Sequence, residues 1–201
     1  QPKPELVQAT PLYYYYAVEG LMRAGAAEGA LRQMQERYAP MMASDDFPTI
    51  WEVWPHNFGA PGLGAISSKV HSGGVGPTWT LSKHVLGVQP IGPGFERCRI
   101  APQTGDLQWA RGVFPSVKGD ITVSWEREGA AITLTVELPP DLQTELVLPR
   151  LPDRDLNLVH NGQHFRIPEH ADHVTALALT DDQVAVKVQG GRHVLYLQPS
   201  R

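Results

Sequence analysis

Apolar residues recur at every second position in Ile121-Thr-Val-Ser-Trp125 and again in Ile132-Thr-Leu-Thr-Val136, with Glu128-Gly129 between the two runs as a hairpin turn. A period of two buries one face of a strand pair and no face of a helix, so it commits this part of the chain to a sheet. Val123, Trp125, Leu134 and Val136 are expected to face inward. The same texture follows Pro90 throughout, with further strands predicted near 96–101, 107–114, 143–148, 156–160, 163–167, 173–179, 183–188 and 193–198. Asn161-Gly162, Thr180-Asp181-Asp182 and Gly190-Gly191 supply turns. About ten short strands with frequent turns predict an antiparallel β-sandwich over 91–201.

The first ninety residues follow a different rule. Thr10-Pro11 reads as an N-cap and first-turn pair, and Leu12, Tyr13, Tyr16, Ala17, Gly20, Leu21 and Ala24 recur at helical spacing. Gly25 can end that helix. A second helix is expected from about 27 to 39, with Leu31, Met34 and Tyr38 on one stripe and Pro40 closing it. The short Ala-Gly-Ala link makes the two a helical hairpin. Tyr13 to Tyr16 point in every direction on a helix, which predicts contacts on most of its sides, with partners outside this chain included. A third helix is expected with Pro77 in its first turn, Trp79, Leu81, Val85 and Leu86 as its apolar side, and Gly87 as its stop. The fold class is therefore α+β: helices over 1–90, then the sandwich.

Between Pro40 and Gly74 no period holds. Loops of that length inside a compact domain are functional or disordered, and Phe47, Trp51, Trp54 and Phe58 argue for order and hence function. Among 201 residues, Gly (19) and Pro (18) together exceed the usual share of about 12% by half, as turns and ordered loops require. Lys and Arg number 17 against 21 Asp and Glu, a net charge of −4, which offers no basic face to a nucleic acid. Cys98 alone excludes an internal disulfide framework and a Cys-rich zinc site. No apolar run reaches the roughly 18 residues that span a bilayer, so no membrane partner is expected. The chain begins at Gln1 without a signal-peptide pattern, as expected of a processed form or a piece of a longer protein.

The richest chemistry lies between Asp45 and His71. Asp45, Asp46, Glu52, His56 and His71 alternate there with Trp51, Trp54 and Phe58. Indoles pack on the C–H faces of pyranose rings, and carboxylates accept hydroxyl protons and run acid–base chemistry. The competing reading makes the aromatics core and the acids loop surface. His160, His164, His170 and His173 cluster around a turn, but no Cys or spaced carboxylate completes a metal set, so no metal is expected. Cys98, in an alternating strand without a base nearby, reads as structural. Gly59-Ala-Pro-Gly62-Leu-Gly64 lacks the strand, Lys and Ser/Thr of a phosphate loop.

The order of several segments carries more. Thr49-Ile-Trp-Glu52-Val-Trp54, His71-Ser-Gly-Gly and Gly76-Pro-Thr-Trp-Thr-Leu-Ser-Lys-His-Val-Leu-Gly-Val88 together resemble the end of the catalytic domain of bacterial α-L-rhamnosidases. Pro90-Ile-Gly-Pro-Gly-Phe95, Ile100-Ala-Pro102, Asp106-Leu-Gln-Trp-Ala-Arg-Gly112 and Lys118-Gly-Asp-Ile-Thr-Val-Ser-Trp125 resemble the start of that family's C-terminal β-domain. The resemblance spans roughly residues 5 to 130.

It implies a six-hairpin (α/α) barrel that hydrolyses terminal α-L-rhamnosides with inversion and without a cofactor, in a bacterial cytoplasm or periplasm. It makes Glu52 the general base and places His71, Trp51 and Trp54 at the rhamnose pocket. Val53 departs from the family, which often carries a basic or polar residue there. The general acid lies upstream in that family, and a barrel of about twelve helices needs on the order of 300 residues. The expectation is a C-terminal fragment, inactive alone, that self-associates through residues 10–40 or docks those helices against its own sandwich. A non-catalytic carbohydrate-binding or structural β-sandwich module is the alternative.

Overall fold

The computed structural model describes residues 9–150, 155–168 and 177–200. Two compact units meet in sequence between Thr80 and Leu81. In the first, α1 (Pro11–Arg23) and α2 (Ala27–Met42) form the expected hairpin, with Gly25 at φ +76° in the link. The phase of α1 differs from the expected stripe. Val18 and Met22 are buried and Tyr14 and Tyr15 half-buried, while Leu12, Tyr13, Tyr16, Ala17, Gly20 and Ala24 are exposed. Four consecutive aromatics carry no phase of their own, so the position of α2 and of the following loop sets it. α2 also runs through Pro40 instead of stopping before it. So close to the C-terminus the missing N–H costs a single bond, and burial of Met41 holds the last turn.

The loop after α2 is ordered, as expected, by three short turns and by aromatic packing. Trp54 lies edge-on to Tyr14 and Tyr38 at 5.4 and 5.3 Å and donates its indole N–H to the Ala9 carbonyl at 2.7 Å. Tyr38 donates to the Pro11 carbonyl, and burial pushes its hydroxyl up to about 12. The third helix is shorter than expected: α3 covers Gly76–Thr80, and the chain then takes one wide turn over Leu81–Val85, closed by Leu86 N–H on the Leu81 carbonyl at 2.8 Å. That wide turn shifts the phase, leaving Trp79 and Leu81 exposed and Val85 buried.

The second unit is a sandwich-like sheet of nine strands: β1 (Val88–Ile91), β2 (Arg97–Ile100), β3 (Trp109–Ser116), β4 (Gly119–Glu128), β5 (Ala131–Pro149), β6 (Leu156–His160), β7 (Gln163–Ile167), β8 (Ala178–Leu179) and β9 (Gln183–Pro199). The expected strands near 143–148, 183–188 and 193–198 are halves of β5 and β9. The first half of β5 pairs with β4 and with the second half of β9; its second half pairs with β2 and the first half of β9. The register breaks between Leu138 and Gln143, at Pro139-Pro140. Opposite it Gly190 sits at φ +48°, where a Cβ would lie 2.1 Å from the Pro140 carbonyl oxygen. Only glycine fits that bend.

Val123, Trp125, Leu134 and Val136 are buried, as the alternation predicts. The Trp125 indole donates to the Val85 carbonyl at 2.7 Å. Asn161 (φ +47°) and Gly162 (φ +84°) form the expected two-residue turn between β6 and β7. β1 was hidden by Gly87 and Pro90, and the β2–β5 pair is parallel within an otherwise antiparallel sheet. Of the strand expected at 173–179, Ala178–Leu179 forms β8 and 173–176 lie outside the described residues.

Candidate active site

The site is built by two short extended segments that pair across the loop. Glu52 N–H donates to the Ser68 carbonyl at 2.9 Å, and His71 N–H donates to the Ile50 carbonyl at 2.9 Å. The Thr49 hydroxyl donates to the Lys69 carbonyl. This ladder brings Glu52 and His71, nineteen positions apart in sequence, to 3.9 Å between Oε1 and Nε2. The other carboxylate oxygen, Oε2, accepts the Ser68 N–H at 2.9 Å. Both side chains stay partly open, at 29% and 28% exposure. A separation of 3.9 Å is too long for a direct hydrogen bond, and one water can touch both atoms at ordinary distances.

Two glycines make room for this arrangement. A Cβ on Gly73 would lie 2.8 Å from Cε1 of His71, and one on Gly74 would lie 2.5 Å from Cγ2 of Ile50. The His71-Ser-Gly-Gly sequence is thus a steric requirement: the imidazole packs on its own following turn. His71 Nδ1 is buried without a hydrogen-bond partner among the described residues, so Nε2 is the nitrogen that faces Glu52.

The two tryptophans are buried. Trp54 is 2% exposed and packed between Tyr14 and Tyr38. Trp51 is 7% exposed, donates its indole N–H to the Phe47 carbonyl at 3.1 Å and meets Phe58 edge-on at 5.3 Å. Asp45, Asp46 and His56 are exposed loop residues. Two contributors, Ser68 and Lys69, carried no sequence signal, and Gly73 was noted only as part of a motif. Ser68 acts through its backbone N–H, which every residue but proline has; Lys69 acts by where its ammonium lands; Gly73 acts by what it lacks.

In the second unit, burial pushes the Cys98 thiol up to about 11, the state of an inert core thiol. His160 and His193 face each other, with Nε2 and Nδ1 3.2 Å apart, and His193 Nε2 donates to the Gly190 carbonyl at 2.7 Å. His164 is exposed, and His170 and His173 lie outside the described residues. No cluster of three metal-ligating side chains occurs among the described residues. A depression of about 460 Å³ between β2, β5 and β9 is lined by Arg97, Gln143, Glu145 and Lys187, with no aromatic ring.

Residues 87–163 match the family described as the bacterial alpha-L-rhamnosidase C-terminal domain. An α-L-rhamnosidase of Alteromonas sp. (strain LOR) is 32% identical over 107 residues, which cover 50% of this chain and 11% of that protein. The solved α-L-rhamnosidase from Dictyoglumus thermophilum superposes with a TM-score of 0.73 over 93% of this chain and 20% of its own, at 18% identity, a likeness of fold. The GH78 family rhamnosidase of Bacillus sp. GL1 gives 0.63 at 31% identity over 76% of this chain and 16% of its own. Over these stretches the chain is similar to the C-terminal portion of bacterial α-L-rhamnosidases. It spans between 11% and 20% of the length of these relatives.

Proposed function

We propose that this chain contributes the general base to an inverting α-L-rhamnosidase, and that Glu52 is that base. The observation that supports the reading is the Glu52–His71 pair: a carboxylate with one oxygen anchored on the Ser68 N–H and the other free beside an imidazole nitrogen. Anchoring leaves Oε1 as the acceptor for a water that His71 Nε2 helps hold. The water oxygen attacks the anomeric carbon as its proton passes to Oε1, and the glycosidic C–O bond breaks on the opposite face. The leaving oxygen takes a proton from a general acid. In an inverting site that acid's carboxyl stands about 6.5–9.5 Å from the base.

No second carboxyl is part of the Thr49–Glu52 and Ser68–His71 ladder, so the acid comes from elsewhere in the parent protein. The 201 residues alone are expected to leave an aryl α-L-rhamnoside intact. The buried Trp51 and Trp54 serve as the wall that fixes the ladder and shapes the rhamnose pocket from behind.

Measured in a rhamnosidase that contains this segment, Glu52→Gln should lower kcat by about 10²–10⁴ while rhamnose binding persists. An unchanged kcat removes Glu52 as the base. Ordinary turnover by the 201-residue chain would remove the need for an acid outside it. A carbohydrate-binding module without chemistry would instead bind rhamnosides through the β-unit and ignore Glu52→Gln.

A further inference from the structure

We propose that Lys69 is a positioning residue for Glu52, acting through a box of three aromatic rings. The Lys69 ammonium lies 4.7 Å from the centroid of Trp51, 5.2 Å from Phe58 and 5.3 Å from Phe47. Each ring presents negative charge density on its face, so three rings around one ammonium hold it at a defined point. The backbone on either side of that point is the ladder itself. Ser68, just before Lys69, gives its N–H to Glu52 Oε2, and its carbonyl accepts the Glu52 N–H. The Lys69 carbonyl accepts the Thr49 hydroxyl. His71, two positions on, closes the ladder on Ile50.

Within 68–70, Lys69 is the side chain that reaches out of the segment to a fixed point, while His71 packs on its own following turn. Ser68 turns its hydroxyl to the Val70 carbonyl within the same segment, and Val70 is exposed. The cation in the box therefore sets where the Ser68 N–H stands, and with it which carboxylate oxygen of Glu52 is left free. The rings have a second property that suits a latch: Phe47 and Phe58 are 48% and 36% exposed, so the ammonium holds them in place as much as they hold it. This inference rests on the reading of Glu52 as the base, and it can be tested without substrate.

The test is amide hydrogen exchange on the full 201-residue chain, following Glu52, Ser68 and His71. Lys69→Met keeps the length and removes the charge. It should lower protection at these three amides by about tenfold while amides of α2 keep theirs. Lys69→Arg keeps the charge and should restore most of the loss; a side chain that mattered only as bulk would be replaced better by Met than by Arg. If Lys69→Met unfolds the loop outright, Phe58→Leu removes one ring of three and should give a partial loss at the same amides. Unchanged protection in Lys69→Met, or equal protection in the Met and Arg variants, overturns the proposal. Exchange involves no sugar, so it succeeds or fails independently of the kinetic result for Glu52→Gln.

Discussion

The two units of this chain bury their apolar residues in opposite styles. In the β-unit, strands alternate so regularly that Ile121, Val123, Trp125, Leu134 and Val136 are all buried to 1% exposure or less. In the helical unit the core is a knot of aromatics from distant points: Tyr14 from α1, Tyr38 from α2 and Trp54 from the loop. Among the described residues, ten of the fourteen large exposed apolar side chains lie before Leu81, although that unit is the shorter. A sheet that closes its own core needs little from a neighbour. The helical hairpin leaves Leu12, Tyr13 and Tyr16 open to solvent. The Glu52–His71 ladder lies in the unit with more exposed apolar side chains, and the unit with the regular alternating core carries none of it.

That contrast can be broken most sharply at Trp125. Trp125→Ala removes a fully buried indole and its bond to Val85, and should destabilise the β-unit by about 3–5 kcal/mol in denaturant melting. A loss under roughly 1 kcal/mol would mean that the alternating core is not what holds this unit. Gly190→Ala should cost about 1–3 kcal/mol, because a Cβ at φ +48° meets the Pro140 carbonyl and opens the bend that β5 and β9 share. A neutral result would show that the two strands can bend elsewhere.

Gly73→Ala probes the other style. It should change global stability by less, about 1 kcal/mol, yet move the His71 ring off its turn. The measurement is the His71 imidazole proton shift, which should change while the Trp54 indole signal stays in place. On the surface, the hypothesis that open helices self-associate predicts a concentration-dependent mass by sedimentation, removed by Tyr13→Glu with Tyr16→Glu. A monomer at every concentration would discard it.

The smallest expected effect is one of pH. Burial, and secondarily the neighbouring His193, holds His160 below its ordinary range. The folded state then takes up that proton less readily than the unfolded state. The contribution is complete above the unfolded value near 6.5 and is lost as pH falls through the folded one. The Tm of the β-unit should therefore drop on going from pH 7.5 to 5, and His160→Gln should flatten the slope. An unchanged slope would assign the pH dependence to other groups.

How much of this was legible beforehand differs between the units for the same reason. Period two and period 3.6 are local, so strands, hairpins and helices could be read from neighbours in sequence, and Asn161-Gly162 announced its turn by backbone preference alone. The phase of α1 could not be read, because Tyr13 to Tyr16 offer an apolar side to every direction. Nor could the joining of separate strands into β5 and β9, since a bend at Pro139-Pro140 looks like an ending until Gly190 is seen opposite it.

For the candidate site, residue types and motif order singled out Glu52, His71, Trp51 and Trp54. Only the tertiary structure decided that Glu52 and His71 stand 3.9 Å apart while Trp54 is sealed in the helical core. Sequence by itself determined which kinds of element form and which side chains can do chemistry, because those depend on backbone preference and functional groups. Distance, phase and register depend on close packing between residues far apart in the chain. A Lys ammonium among three rings, or a glycine beneath an imidazole, has no counterpart in local sequence.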